Sequence, residues 1–186
     1  NFYSPLYIRY KRILKRFFDL LVSACLLCTL FPIICLIVGL IIKLTSPGPI
    51  FFVQKRTGKD GKDFLCYKFR SMIVNQEANE LQATADDPRK TPFGNFIRNT
   101  SIDEIPQLIN VFLGDMSLIG PRPHMVKHTE MYSKLIPNYM ERHAVKPGMT
   151  GWAQVTGFRG ETKELHQMEN RVKADLWYIQ NWSFLL

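Results

Sequence analysis

Residues 20–42 read LLVSACLLCTLFPIICLIVGLII, an uncharged run of 23 residues. Coiled as an α-helix, such a run reaches ~35 Å, against a bilayer hydrocarbon core of roughly 30 Å. No polar face interrupts it, so it does not read as the core helix of a soluble domain. It is too long for the apolar region of a secretory leader, and no small-residue cleavage site follows it. Pro32 stands mid-run, where it removes a backbone hydrogen bond and bends the helix. Both flanks are basic: Arg9, Lys11, Arg12, Lys15 and Arg16 precede the run, and Lys43, Lys55 and Arg56 follow it. Charge placed on both sides names no far side of a membrane. Together these features predict a helix that kinks at Pro32 and returns to the face it left. The first boundary therefore falls at residue 45, with a basic arm and membrane helix in 1–45 and a folded domain in 46–186.

The remaining composition agrees. With 186 residues and 46% apolar content, the chain is the size of one domain with one core. Its net charge of +8 is uneven, because five bases and no acid fall in the first sixteen residues. A nucleic-acid binder carries its basic stripe on the folded domain, whereas a basic cluster beside an apolar segment attracts anionic lipid headgroups. Cys25, Cys28 and Cys35 lie inside the apolar run, and no His or acid stands beside the CxxC to complete a metal site. No disulfide framework is visible, which suits a reducing, cytoplasmic face. The chain begins without Met and stops within the apolar WSFLL, as an excised part of a longer protein would.

Beyond residue 45 the pattern predicts an α+β domain, mainly helical, with one β-hairpin. After a TSPGP turn (Thr45–Pro49), IFFVQKRTGKDGKDFLCYKFRSM reads as two strands around a Gly58–Gly61 turn, with Phe64, Cys66 and Lys68 alternating in the second. Residues 75–90 are polar and read as a loop or mobile helix. A helix is expected from Thr100 to Leu113, closed by Gly114. Loops are expected at 120–123 and 147–160. A final amphipathic helix over about 161–180 places Leu165, Met168, Val172, Leu176 and Ile179 on one face. Trp177, Tyr178 and Trp182 at its end suit either core packing or an aromatic belt at a bilayer interface.

Asp103 and Glu104, within RNTSIDEIPQLINVFLGDMSLIGPRP, are the centre of the candidate chemistry. Locally they are ordinary helix-start acids: Ser101 and Glu104 have capping-box spacing, and Pro106 fits an early helical turn. A carboxylate attacking phosphorus, however, needs cations to draw off developing charge, and Lys68, Arg70, Arg98 and Arg122 are at hand. Arg122 lies between Pro121 and Pro123, so its planar fork is presented from a nearly fixed backbone. Equally, Arg122 could pair with a surface acid, and Lys68 could be a strand-edge solubility residue. His124 and His128 are four apart but lack a third ligand for zinc. Asp86 and Asp87 read as a solvated turn before Pro88. The glycines of KPGMTGWAQVTG match no phosphate-loop or dinucleotide fingerprint, so ATP binding is not indicated.

The ordered set of KR before the apolar run, its mid-run Pro, YKFRSM, SIDEIPQLINVFLGDMSLIGPRP and KPGMTGWAQVTG resembles the bacterial sugar transferase family, the monotopic phosphoglycosyl transferases. The resemblance implies transfer of a hexose 1-phosphate from a UDP-sugar to polyprenyl (undecaprenyl) phosphate, releasing UMP, as the first membrane step of capsule, exopolysaccharide or O-antigen synthesis. It implies an aspartyl nucleophile at Asp103, Mg²⁺ on Glu104, a phosphate pocket of Lys68, Arg98 and Arg122, and a re-entrant helix around Pro32 whose topology Lys15 and Arg16 help set. It places 46–186 as a catalytic domain on the cytoplasmic face of a bacterial inner membrane, among membrane lipids, with room for a homodimer and no nucleic-acid partner. GFRGETK (Gly157–Lys163) looks like the larger members that use UDP-glucose or UDP-galactose, with Arg159 taking the nucleotide contact. Small members often have Ser where this chain has Phe31. Two other readings stay open: direct transfer with Asp103 as base, and a non-catalytic membrane-anchored recruitment module.

Overall fold

The computed structural model describes residues 2–74, 84, 87–158, 160, 162 and 164–184. Helix α1 (Arg9–Cys28) and helix α2 (Leu30–Thr45) divide the apolar run between them and meet at a 52° bend. The break is at Thr29 (φ −109°, ψ −73°) and not at Pro32. Proline lacks an N–H and its ring collides with the carbonyl four residues earlier, here that of Cys28, so the disturbance appears one turn toward the N-terminus. The Thr29 hydroxyl donates to the Cys25 carbonyl at 2.7 Å and closes α1 at that point. Among the described residues no single helix is long and apolar enough to cross a membrane, whereas the bent pair together has that length and composition.

Helix α2 buries Val38 and Ile42 against Phe69 and Ile97 of the domain. Its other face leaves Leu36 and Leu44 73% and 77% exposed, beside Ile33, Ile37 and Leu40, and α1 adds Leu14, Phe17 and Leu21. So large an uncovered apolar surface marks a contact with something other than water. The basic arm, by contrast, is divided. Arg16 donates to the carbonyls of Val111 and Phe112 at 2.6 and 2.7 Å, and Lys15 donates to that of Ile119 at 2.9 Å. Two of the five bases read as lipid-facing are thus bonded to the domain, Arg16 at the C-terminal carbonyls of the Gln107–Leu113 helix and Lys15 at the Ser117–Ile119 strand.

Strands β1 (Phe51–Thr57) and β2 (Asp63–Phe69) form the expected antiparallel hairpin, in register from Phe51 opposite Phe69 to Thr57 opposite Asp63. The turn works because Asp60 and Gly61 both take positive φ (56° and 72°). Residues 75–83 and Asp86 lie outside the described residues. Helix α3 (Pro92–Asn99) starts from a Thr91 cap and was not foreseen. The single helix expected from Thr100 to Leu113 is instead a 3₁₀ turn (Ile102–Glu104) followed by α4 (Gln107–Leu113), closed as expected by Gly114 at φ 101°.

Beyond α4, β3 (Ser117–Ile119) pairs in parallel with β4 (Gly148–Thr150), which falls within the 147–160 stretch expected to be loop. Three-residue strands carry almost no periodicity and form only because the partner is brought to them. Helix α5 (Val126–Leu135), the short α6 (Trp152–Val155) and α7 (Leu165–Asn181) complete the domain. On α7, Met168, Val172 and Ile179 are buried, but Leu165, expected on that face, is 41% exposed. Tyr178 and Trp182 join a core cluster with Leu6 and Val145, while Trp177 stays at the surface, stacked on Trp152 at 4.8 Å.

Candidate active site

Ser101 adopts a left-handed conformation (φ 60°) that ends α3 abruptly and begins the turn carrying Asp103 and Glu104. Its side chain makes no cap bond, so the capping box suggested by the spacing does not form. Glu104 turns away from its own backbone. One carboxylate oxygen, Oε1, accepts from Lys68 Nζ at 2.8 Å and Arg122 Nη2 at 2.5 Å, and Oε2 accepts from Arg122 Nη1 at 3.2 Å. Charged partners brought from β2 and the 121–123 loop are stronger than one neutral backbone N–H. Asp103, also buried, accepts no hydrogen bond from the described residues. Both acids lie on the wall of a cavity of about 590 Å³, with Lys68, Arg98 and Arg122 beside them.

Each cation arrives by a different route. Lys68 stands on β2 opposite Phe52, and Arg98 is in the last turn of α3. Arg122 depends on two backbones crossing at contact. A Cβ on Gly148 would collide with the Gly120 nitrogen, and one on Gly151 with the Gly120 carbonyl, so only glycine lets β3, β4 and the Pro-Arg-Pro loop close together. The Arg122 carbonyl is then held at 2.8 Å by Arg142, a fully buried side chain paired with Asp175 of α7 at 2.6 Å. Asn110 of α4 fastens β2 by accepting from the Tyr67 N–H at 3.0 Å and donating to the Leu65 carbonyl at 2.7 Å.

The two carboxyls titrate apart. Burial pushes Glu104 up, but Lys68 and Arg122, through charge and hydrogen bonds, hold it well below the usual carboxylate range. Burial also pushes Asp103 up; Lys68, Arg98 and Arg122 pull it down, Glu104 repels it, and the net shift is upward. The two neighbouring acids are thus driven in opposite directions, Glu104 held as an anion and Asp103 favoured in its protonated form.

Two expectations change, those for Arg70 and Asp87. Arg70, counted among the phosphate-facing cations, donates to the Pro49 carbonyl and Ser46 hydroxyl (both 2.6 Å) and the carbonyls of Ser46 and Pro47 (both 2.9 Å), so its donors hold the 46–49 turn. Asp87, expected to be solvated, is 6% exposed and clasps Arg89 at 2.6 Å. His124 and His128 do not share a helix face: His124 precedes α5 and its Nδ1 lies 2.6 Å from the Tyr139 hydroxyl, while His128 packs edge-on against Tyr132. Arg159 lies outside the described residues.

Asp19 went unnoticed in the sequence. It is 3% exposed and accepts from the Ser117 hydroxyl at 2.7 Å and the Leu118 N–H at 3.0 Å, pinning α1 to β3. Its signal was available, since a lone acid at the edge of an apolar run needs a partner. Asp175 gave a similar one, lying between Val172 and Ile179 on the buried stripe of α7.

A carboxylate pair held among cations, in an α+β domain carrying a bent and largely uncovered apolar helix pair, defines a class: a domain with a site suited to an anionic ligand beside an exposed apolar surface. The bacterial sugar transferase family matches residues 10–186, and the chain belongs to it. It is 53% identical over 173 residues to the UDP-glucose:undecaprenyl-phosphate glucose-1-phosphate transferase of Escherichia coli K12, covering 92% of this chain and 37% of that protein. The Xanthomonas campestris protein of the same name is 49% identical, covering 90% and 35%. A UDP-N-acetylgalactosamine-undecaprenyl-phosphate N-acetylgalactosaminephosphotransferase of Aeromonas hydrophila is 43% identical, covering 98% and 42%. The chain thus spans little more than a third of the first two relatives.

Proposed function

We propose that the chain transfers a hexose 1-phosphate from a UDP-sugar to undecaprenyl phosphate and releases UMP, initiating glycan synthesis at the cytoplasmic face of a bacterial inner membrane. Relatives named for this reaction support it, and glucose or galactose is the proposed hexose. The observation that carries the mechanism is Asp103, buried, accepting no hydrogen bond from the described residues, and flanked by Lys68, Arg98 and Arg122 on one cavity wall. A desolvated carboxylate raised above its ordinary value is a better nucleophile, and those cations face the charge that phosphoryl transfer develops.

The reaction is two displacements. A carboxylate oxygen of Asp103 attacks the sugar-bearing phosphorus, its bond to the bridging oxygen breaks, and UMP leaves with that electron pair. An oxygen of the lipid phosphate then attacks the same phosphorus and the Asp103 carboxylate departs unchanged. One phosphoanhydride is consumed and another made, so no further energy source is needed. Glu104, fixed by Lys68 and Arg122, holds the phosphate-binding fork in place between steps. The residues also fit Mg²⁺, which takes one or two carboxylates together with phosphate oxygens. Among the described residues, Glu104 Oε2 accepts one bond, and Asp103 is adjacent. When bound, Mg²⁺ would neutralise phosphate charge. The bend at Thr29 and the uncovered faces of α1 and α2 support a re-entrant seat in one leaflet.

The test is acceptor-free turnover. With UDP-glucose and Mg²⁺ but no lipid phosphate, the chain should release about one UMP per active site as a burst and gain a hexose phosphate on Asp103 by tandem mass spectrometry. No burst from protein that is active with acceptor would replace the covalent route by direct transfer. Lipid binding with no UMP under any condition would leave the recruitment module.

A further inference from the structure

Arg171 of α7 is a buried cation that the carboxylate–phosphate arrangement above does not use. It is 6% exposed and forms no ion pair among the described residues. Its Nε donates to the Phe158 carbonyl at 3.0 Å and its Nη2 to the Gly160 carbonyl at 2.7 Å. Gly157 and Gly160 take φ of 100° and 109° with open space where a Cβ would be, so they serve the path of the backbone and not its packing. Nη1 forms no hydrogen bond among the described residues and is not among the sealed, unpartnered atoms. Arg171 lines the same cavity as Asp103, close enough to Arg122 to feel its charge.

The charge inventory gives this geometry a direction. Eight Lys or Arg side chains and two carboxylates line the cavity among the described residues. Of the eight, Arg70 is bonded to carbonyls and Arg89 to Asp87, while Lys68 and Arg122 share Glu104. The excess of cations over carboxylates among the described lining residues favours entry of an anion. A nucleoside diphosphate sugar carries two phosphates, and Lys68, Arg98 and Arg122 sit at the carboxylates, where the attacked phosphorus must lie.

We infer that Arg171 is the donor's second anchor: it is oriented by the carbonyls of Phe158 and Gly160 at the cavity's edge and gives Nη1 to an oxygen of the nucleotide-side phosphate. The inference rests on the transferase reading above and adds a residue that distinguishes donor from acceptor, since the lipid phosphate has no nucleotide-side phosphate to offer. Loss of one charge-assisted hydrogen bond then weakens the donor alone.

The experiment uses the full chain in lipid nanodiscs, with UDP as binding probe and initial rates for both substrates. Arg171→Gln should weaken UDP binding and raise the donor KM by about ten- to a hundredfold while leaving the acceptor KM unchanged. A residue that only supports the fold would lower kcat without this split. Arg171→Lys should also weaken UDP, because one ammonium cannot serve two carbonyls and a phosphate together. If the Gln variant fails to fold, the Lys variant decides. Unchanged UDP affinity in the deciding variant, or equal changes in both KM values, overturns the role of Arg171. Failure of the wild-type chain to bind UDP overturns the transferase reading itself.

Discussion

Replacing Glu104 by Gln removes one charge from the tightest polar cluster of the site. Glu104 is 14% exposed at its side chain, and its partners Lys68 and Arg122 are 18% and 33% exposed. Deleting one member of a fully buried pair costs about 3–5 kcal/mol, because the other is stranded without a counter-charge. Here the stranded cations border a cavity that admits water, so the loss falls to about 2 kcal/mol, within the range for an unsatisfied polar partner. For a chain of this length, that lowers the melting temperature by ~4–8 °C. The assay is thermal unfolding in nanodiscs across a pH series. Glu104 is depressed in the fold, so its stabilisation is present above its ordinary value of 4.5 and is lost as pH falls toward the folded value. The gap between wild type and variant should therefore hold at neutral pH and begin to close only below 4.5. An unchanged melting temperature at pH 7, or a gap that widens in acid, would refute the pairing.

Arg122→Lys keeps the charge but loses the two-pronged grip on Glu104, so kcat/KM should drop about tenfold or more with the fold retained by circular dichroism. Pro32→Ala restores an N–H that can reach the Cys28 carbonyl across the Thr29 break, and labelling cysteines placed at Lys11 and Lys59 should then react from opposite faces of sealed vesicles in part of the population, where the wild type should give same-side labelling. Asp103 is raised in the fold, so its protonated form is favoured there: the stabilisation is full below its ordinary value of 3.8 and disappears as pH rises through the folded value. Asp103→Asn, which mimics that neutral form, should abolish the UMP burst while melting no lower than wild type at pH 7, and the acid limb of kcat/KM should lie above pH 3.8.

Sequence alone determined the features whose causes lie within a turn or two. The 23-residue apolar run, a bend caused by Pro32, the Gly58–Gly61 hairpin and the Gly114 stop all follow from side-chain periodicity and backbone restriction. The acid pair and the cations Lys68, Arg98 and Arg122 that line its cavity were legible as chemistry, and the motifs around them identified the family. Tertiary structure decided which partner each charge takes. By spacing, Ser101 and Glu104 form a capping box; in the fold, Lys68 and Arg122 arrive and outbid the backbone N–H. By composition, Arg70, Lys15 and Arg16 are free cations, yet each is held by backbone carbonyls of the folded domain. Strands β3 and β4 exist only because Gly120, Gly148 and Gly151 let two distant backbones touch, and that contact carries Arg122 to Glu104. A charged side chain pairs with whatever the fold brings nearest in a dry setting, and that choice depends on distances in space that neighbouring residues do not encode.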